Sequence, residues 1–280
     1  MERCITTQDL SDFADDLRRE ERSQGTQEKY LRDVRTFATW LGDRAVTREN
    51  AAGWRDHLTQ TGYCPTTINS MAASVNAFFR FMDWTDCRIR ALRIQRRMFR
   101  EGERELTRSD YEKLVATAQH EGKERLKLLL ETICATGIRV SEVKYITVES
   151  LKKGRADISL KGKIRTILLP GKLVKKLRKY AEKQKIASGE IFLTRSGKGL
   201  SRKQIWAEMK ALCAAAGVEP GKVFPHNLRH LFARTFYKVS RDVSKLADIL
   251  GHSSIETTRI YLISTGAEHA RQLDSLGLVS

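Results

Sequence analysis

His226, Arg229 and His230 stand within the five-residue run HNLRH at 226–230. At three- and four-residue spacing they share one face of a helix, while Leu228, Leu231, Phe232 and Phe236 lie towards the other side and anchor it. Arginine presents a planar fork of donors that matches phosphate oxygens, so a rigid face carrying two imidazoles and a guanidinium suits an anionic ligand. His230 reads more readily as a satisfied core residue. Leu250-Gly251-His252-Ser253 follows, with Gly251 able to end one helix sharply and Ser254 able to cap the next. Tyr261 comes nine residues after His252, on a short helix from which it could swing towards a bound phosphate; taken alone, such a tyrosine is a core or interface residue. A second arginine, Arg139, lies at a helix junction in ATGIRVSE (135–142), where Glu142 either orients it or forms an ordinary surface ion pair.

The elements that must position these residues are mostly helical. Apolar residues at helical spacing mark four short helices in the first part of the chain: Leu10, Phe13, Ala14 and Leu17; Tyr30, Val34, Phe37, Ala38 and Leu41; Ala51, Trp54 and Leu58; and Ile68, Met71, Val75, Phe78, Phe79 and Met82. They predict a small bundle over residues 1–86. Residues 87–105 break the pattern with Arg88, Arg90, Arg93, Arg96, Arg97 and Arg100 ahead of the first acid, Glu101. This stretch reads as a basic linker, either a solvated spacer or a strap along a nucleic-acid backbone, since clustered arginines neutralise phosphates. A second domain, 106–280, opens on a capping box, Thr107 with Asp110. Helices are predicted to about 119 and over 123–136, with Gly137 as the stop. Alternating strands at 156–160 and 164–169 flank Lys161-Gly162-Lys163 and predict a β-hairpin, followed by a Lys-rich helix. A short strand at 191–193 and helices at 201–216, 225–239, 241–250 and 255–262 complete the chain.

Composition narrows the field. Lys and Arg number 51 against 34 Asp and Glu, a formal charge of +17 that favours a polyanion, DNA or RNA, although a ribosome-associated or membrane-surface protein would carry the same charge. Five cysteines, Cys4, Cys64, Cys87, Cys134 and Cys213, show no metal-ligand spacing and no disulfide framework. No apolar run is long enough for a membrane helix, and the first ten residues do not form a signal peptide, so a cytoplasmic protein is expected.

TGIRVSE, SLKGK, HNLRH, LGHSS and RIYL occur in that order, with 32 residues from Arg229 to Tyr261. In this the chain resembles the tyrosine recombinase/phage integrase family across about residues 106–270. The helical front half looks like that family's core-binding, SAM-like domain. The resemblance implies a mainly α protein: a helical bundle plus an α+β catalytic domain with a small antiparallel hairpin, the tyrosine recombinase fold. It implies site-specific DNA recombination with Tyr261 as nucleophile, Arg139 and Arg229 clamping the phosphate, His226 as base, His252 as a donor to the phosphate, and a hairpin lysine protonating the leaving oxygen. Lys161 is favoured for that last role over Lys163, and Glu142 supports Arg139. With arginines as the charge clamp, neither metal nor cofactor is required. The implied partners are double-stranded DNA and three further copies, a homotetramer on paired sites formed from monomers or dimers in solution, with no membrane. No N-terminal arm domain of the lambda type is evident, which fits the Xer or small-integrase kind. The tail after Tyr261, with Leu273, Leu276, Leu278 and Val279, either docks on a neighbouring subunit or packs on its own domain. A topoisomerase-like nicking-closing enzyme and a non-catalytic DNA-binding regulator on the same fold are the competing readings.

Overall fold

A computed structural model describes residues 2–94, 105–160, 163–252, 254–262 and 274–276, with only the backbone of 160, 163 and 164. The chain divides into two compact units, Met1–Arg96 and Arg97–Ser280.

The first unit is a bundle of α1 (Thr7–Arg19), α2 (Gln24–Leu41), α3 (Arg48–Gln60) and α4 (Pro65–Phe81). The predicted apolar faces meet inside it. Phe37 packs edge-on to Trp54 and Phe79, with ring centroids 5.1 and 5.6 Å apart, and Phe13 meets Phe78 at 5.3 Å. One buried charge is fully met: the Asp33 carboxylate accepts from Lys29 Nζ (2.7 Å) and Ser74 Oγ (2.9 Å), tying α2 to α4. The stretch after α4 is fastened to this unit at its start. Cys87 and Ile89 are buried in its core. Asn76 and Asn69 on α4 each exchange two hydrogen bonds with the backbone of Ile89 and Leu92, at 2.7–2.9 Å. Arg88, Arg90 and Arg93 remain exposed, while Arg96, Arg97 and Arg100 lie outside the described residues.

The second unit is built from α5 (Arg108–His120), α6 (Glu124–Thr136), α7 (Val148–Lys153), the antiparallel strands β1 (Arg155–Leu160) and β2 (Lys163–Leu168), α8 (Gly171–Lys183), α9 (Arg202–Ala216), α10 (Pro225–Ser240), α11 (Val243–Leu250) and α12 (Ile255–Arg259). The hairpin closes with Leu160 opposite Lys163, a residue tighter than predicted. Along β2, Ile167 and then Leu169 are buried while Thr166 and Leu168 face out, so Arg165 falls on the inward side.

Four local expectations change. No strand forms at 191–193: Ile191 and Phe192 are buried, and only isolated bridges, Thr147 to Glu190 and Leu193 to Gly199, occur there. Helix α7 was not anticipated; its six residues form because Thr147 and Ser150 cap each other reciprocally. Helix α11 starts at Val243 rather than 241, because Arg241 takes a left-handed φ of 52° and Asp242 caps the amide of Lys245 at 2.9 Å. Helix α12 ends at Arg259 rather than 262, consistent with the β-branched Ile255, Thr257, Thr258 and Ile260, which are stiff in helices.

Candidate active site

Helices α6 and α11 each stop on a glycine in the left-handed region, Gly137 (φ 63°) and Gly251 (φ 62°). A helix end leaves carbonyls without intrahelical partners, and here arginines take them. Arg229, on α10 and only 2% exposed, donates through Nη1 to the Gly137 carbonyl and through Nη2 to that of Leu250 at 2.7 Å. Arg139 donates from Nη2 to the Gly251 carbonyl at 3.2 Å. Neither position tolerates a side chain: a Cβ on Gly137 would lie 2.5 Å from the Phe232 ring, and one on Gly251 2.3 Å from Arg165 Cδ.

Among the described residues, Glu142 is the carboxylate that meets these cations. It is buried, and its Oε2 accepts from the Arg139 amide while Oε1 accepts from Arg139 Nη1, both at 2.9 Å. The pair caps a short 3-10 turn, Val140–Tyr145. Glu142 Oε2 also lies 3.4 Å from Nη1 of Arg165, reaching in from β2. Burial, then the nearby Arg139, holds the Arg229 guanidinium below its usual pKa; contact with Tyr261 works the other way.

Tyr261 sits among imidazoles. It is 6% exposed, packed with Ala233, Leu246 and Leu250. Its ring centroid is 4.2 Å from His230, 5.4 Å from His252 and 5.7 Å from His226, and it lies near enough to Arg229 to favour the charged guanidinium. His230 is therefore buried, as its core reading required, and also stacks against the tyrosine. His252 has a defined tautomer. A guanidinium only donates, so Nε2 of His252 accepts from Arg229 Nη2 at 3.0 Å, and Nδ1 carries the proton towards Thr258 Oγ1 at 2.8 Å. Burial, then repulsion by Arg229, Arg139 and Arg165, pushes the His252 pKa down to about 4, so the ring is neutral at pH 7.

The structure thus gathers Arg139, Glu142, His226, Arg229, His252 and Tyr261 around one spot. Lys161 lies outside the described residues, and Lys163 is placed only by its backbone at the start of β2. Two members were missed in the sequence. Thr258 looked like one more helix residue. Arg165 follows the turn lysines and belongs to none of the motifs, although an arginine alternating in phase with Ile167 and Leu169 signals a cation aimed into a core. Among the described residues no group of three or more His, Cys, Asp or Glu could hold a metal ion, and no helix is long and apolar enough to cross a membrane.

Comparison with known proteins decides the family. The phage integrase family profile matches residues 104–268, and the N-terminal SAM-like domain profile of phage integrases matches residues 10–85. The chain belongs to the phage integrase family. Its relatives are named tyrosine recombinases: XerA of Thermococcus kodakarensis is 28% identical over 94% of this chain and 93% of its own, and XerD of Xanthomonas axonopodis pv. citri is 30% identical over 89% of each. The integrase fold is also seen in solved structures at 18% identity. The Tn1549 transposon integrase in complex with transposon right end DNA superposes with a TM-score of 0.70, covering 97% of this chain and 99% of that one. A lambda integrase tetramer bound to a Holliday junction gives 0.73 over 92% and 77%.

The depressed His252 pKa makes this integrase acid-sensitive in a defined way. Unfolded, His252 titrates near its ordinary 6.5; folded, at about 4. Between those values the unfolded chain binds the extra proton, so this residue contributes stability at neutral pH that is lost as pH falls. The drop in melting temperature from neutral pH to about pH 4.5 should be larger for wild type than for His252→Gln. Equal drops would contradict the assigned environment.

Proposed function

We propose that the protein is a site-specific recombinase that cuts and rejoins double-stranded DNA through a 3′-phosphotyrosyl link at Tyr261. The observation that carries this reading is the placement of Tyr261 among three imidazoles, one of them, His252, bonded to Arg229 at 3.0 Å, beside a second carbonyl-held arginine, Arg139. A phosphate placed there meets its nucleophile and its charge clamp together, the positioning that makes phosphoryl transfer fast.

The step balances without an external energy source. A phenol ordinarily titrates near pH of about 10, so attack needs a base. His226, the exposed imidazole of the three around the ring, takes the proton. The Tyr261 oxygen forms a bond to phosphorus and the bond from phosphorus to the 5′-oxygen breaks. Arg139 and Arg229 hold the non-bridging oxygens, and a hairpin lysine, Lys161 in preference to Lys163, gives its proton to the departing 5′-oxygen. The phosphodiester energy is kept in the tyrosyl ester, so a 5′-hydroxyl from a partner strand reverses the step and exchanges strands. For His252 to donate to the phosphate it must release Arg229 and carry its proton on Nε2; Thr258, whose hydroxyl both donates and accepts, permits that exchange. Strand exchange needs two paired sites and four copies, an assembly supported by the likeness to the lambda integrase tetramer on a Holliday junction. The exposed Arg88, Arg90 and Arg93, with Arg96, Arg97 and Arg100, are proposed to contact DNA phosphates, and the compartment is the cytoplasm.

Tyr261→Phe removes one hydroxyl, so folding and DNA binding should persist while covalent capture disappears. A nicked duplex, its core selected by the wild-type chain from a random-sequence pool, should trap wild type as an adduct on denaturing gels, with or without EDTA. Equal adduct from Tyr261→Phe would refute the nucleophile.

The lysine role is separable by chemistry. Lys161→Ala should slow capture severely on an ordinary duplex and recover on one with a 5′-phosphorothiolate at the scissile bond, since a sulfur leaving group needs no proton. Arg229→Ala should not recover. Rescue of Lys163→Ala, with none for Lys161→Ala, would move the role two residues along.

A further inference from the structure

Arg165 is the residue of this site that neither the motifs nor the mechanism above employs. Its side chain is 10% exposed, yet Nε, Nη1 and Nη2 are all buried with no hydrogen-bond partner among the described residues. Buried guanidinium groups are ordinarily paired and hydrogen-bonded, because desolvating a charge is costly. Arg229 illustrates the rule, with two backbone carbonyls and an imidazole taking its donors. Arg165 has only a charge contact, to Glu142 Oε2 at 3.4 Å, and that carboxylate is already engaged twice by Arg139. Burial accordingly lowers the Arg165 pKa to about 10, with the Glu142 charge opposing and the Arg229 and Arg139 charges adding to the shift; it is still a cation at pH 7.

Such a costly arrangement is retained where it serves function. The local charges show what it could serve. Arg139, Arg165 and Arg229 face one carboxylate, Glu142, and His252 is neutral. Two positive charges are left over among the described residues. A phosphodiester carries one negative charge. Once the Tyr261 proton has gone to His226, the five-coordinate phosphorus carries two. The negative charge on the phosphate thus doubles on the way to the transition state, so fixed positive charge beside it is worth more there than in the bound substrate, the condition for accelerating the chemical step.

We propose that Arg165 is a positioning residue of the phosphate clamp, which holds Glu142 against Arg139 from behind and adds fixed positive charge that favours the doubly negative transition state over the singly charged substrate. Its nitrogens are covered, so it acts through Glu142 and through its field, without touching the phosphate. Gly251 belongs to the same device, since any side chain there would drive into Arg165 Cδ. The inference rests on the recombinase reading above and goes past it, to how the clamp is charged.

The test uses the full chain, the selected nicked duplex and two substitutions, Arg165→Met and Arg165→Lys. Methionine fills similar space without charge, and replacing a buried, poorly paired ion with an apolar side chain is often neutral or stabilising. Arg165→Met should therefore melt at or above the wild-type temperature and bind the duplex within about threefold of wild type, because it removes no phosphate contact. Its single-turnover rate of adduct formation should nevertheless fall by about tenfold to a hundredfold. Arg165→Lys, which restores the charge, should recover most of that rate. An Arg165→Met rate equal to wild type overturns the proposal, as does an Arg165→Lys rate as low as that of methionine. So does a lowered melting temperature with parallel loss of binding, which would make Arg165 a structural residue. If the wild-type chain itself forms no adduct on any duplex of the pool, the recombinase reading fails instead, which keeps the two failures distinct.

Discussion

Two helix ends hold the arginines, and they do so without neutralising them. The carbonyls of Gly137 and Leu250 fix Arg229, and that of Gly251 fixes Arg139. Carbonyl dipoles, which at a helix C-terminus add to a partial negative charge, orient a guanidinium but leave its full positive charge in place. A ring of carboxylates would have held the same side chains as firmly and cancelled them. This requires both helices to stop within reach of α10, and both stop on a glycine with positive φ whose missing Cβ makes room, in one case for Phe232 and in the other for Arg165. The anion site is thus a property of helix termination before it is a property of side chains.

The same frame carries the nucleophile. Tyr261 belongs to the small apolar cluster of α10 and α11, so the surfaces that bury its ring also carry Arg229 and border His252. His252 links the parts: Arg229 donates to one nitrogen, Thr258 takes the other, and the surrounding cations keep the ring uncharged. Cations crowded without enough counter-charge lower the stability of the free protein. The proposed gain comes when DNA phosphate enters, as in other sites where activity and stability trade against each other.

Much of this was legible because the chemistry is short-range in sequence. Arg139 and Glu142 are three residues apart and His226, Arg229 and His230 span five, close enough to be paired from spacing, while His252 and Tyr261, nine apart across a turn, gained their roles from the family resemblance. The bundle of α1 to α4 was legible for the same reason, since Phe13, Val34, Phe37, Trp54, Val75 and Phe78 recur at helical spacing and are buried. What escaped depends on contacts far apart in the chain. Arg165 acquires meaning only when β2 is laid against Glu142 and Gly251. Thr258 matters only once α12 turns back to His252. The attachment of residues 87–92 to the bundle depends on Asn69 and Asn76, whose side chains imitate a strand partner, a role no spacing announces. The short run at 191–193 has strand-like residues but only isolated bridging partners, so burial without pairing leaves it irregular.

The central claim is that the guanidinium cage exists before DNA arrives and receives the phosphate without being rebuilt. The most direct measurement is a crystal structure of the covalent complex between the wild-type chain and a nicked duplex. The carbonyl contacts of Gly137 and Leu250 to Arg229 should persist, with Arg139 and Arg229 both within hydrogen-bond distance of the phosphate on Tyr261 and Arg165 still behind Glu142. A complex in which Arg229 has left the helix ends, or in which the tyrosine-bound phosphate lies out of reach of both arginines, would contradict it.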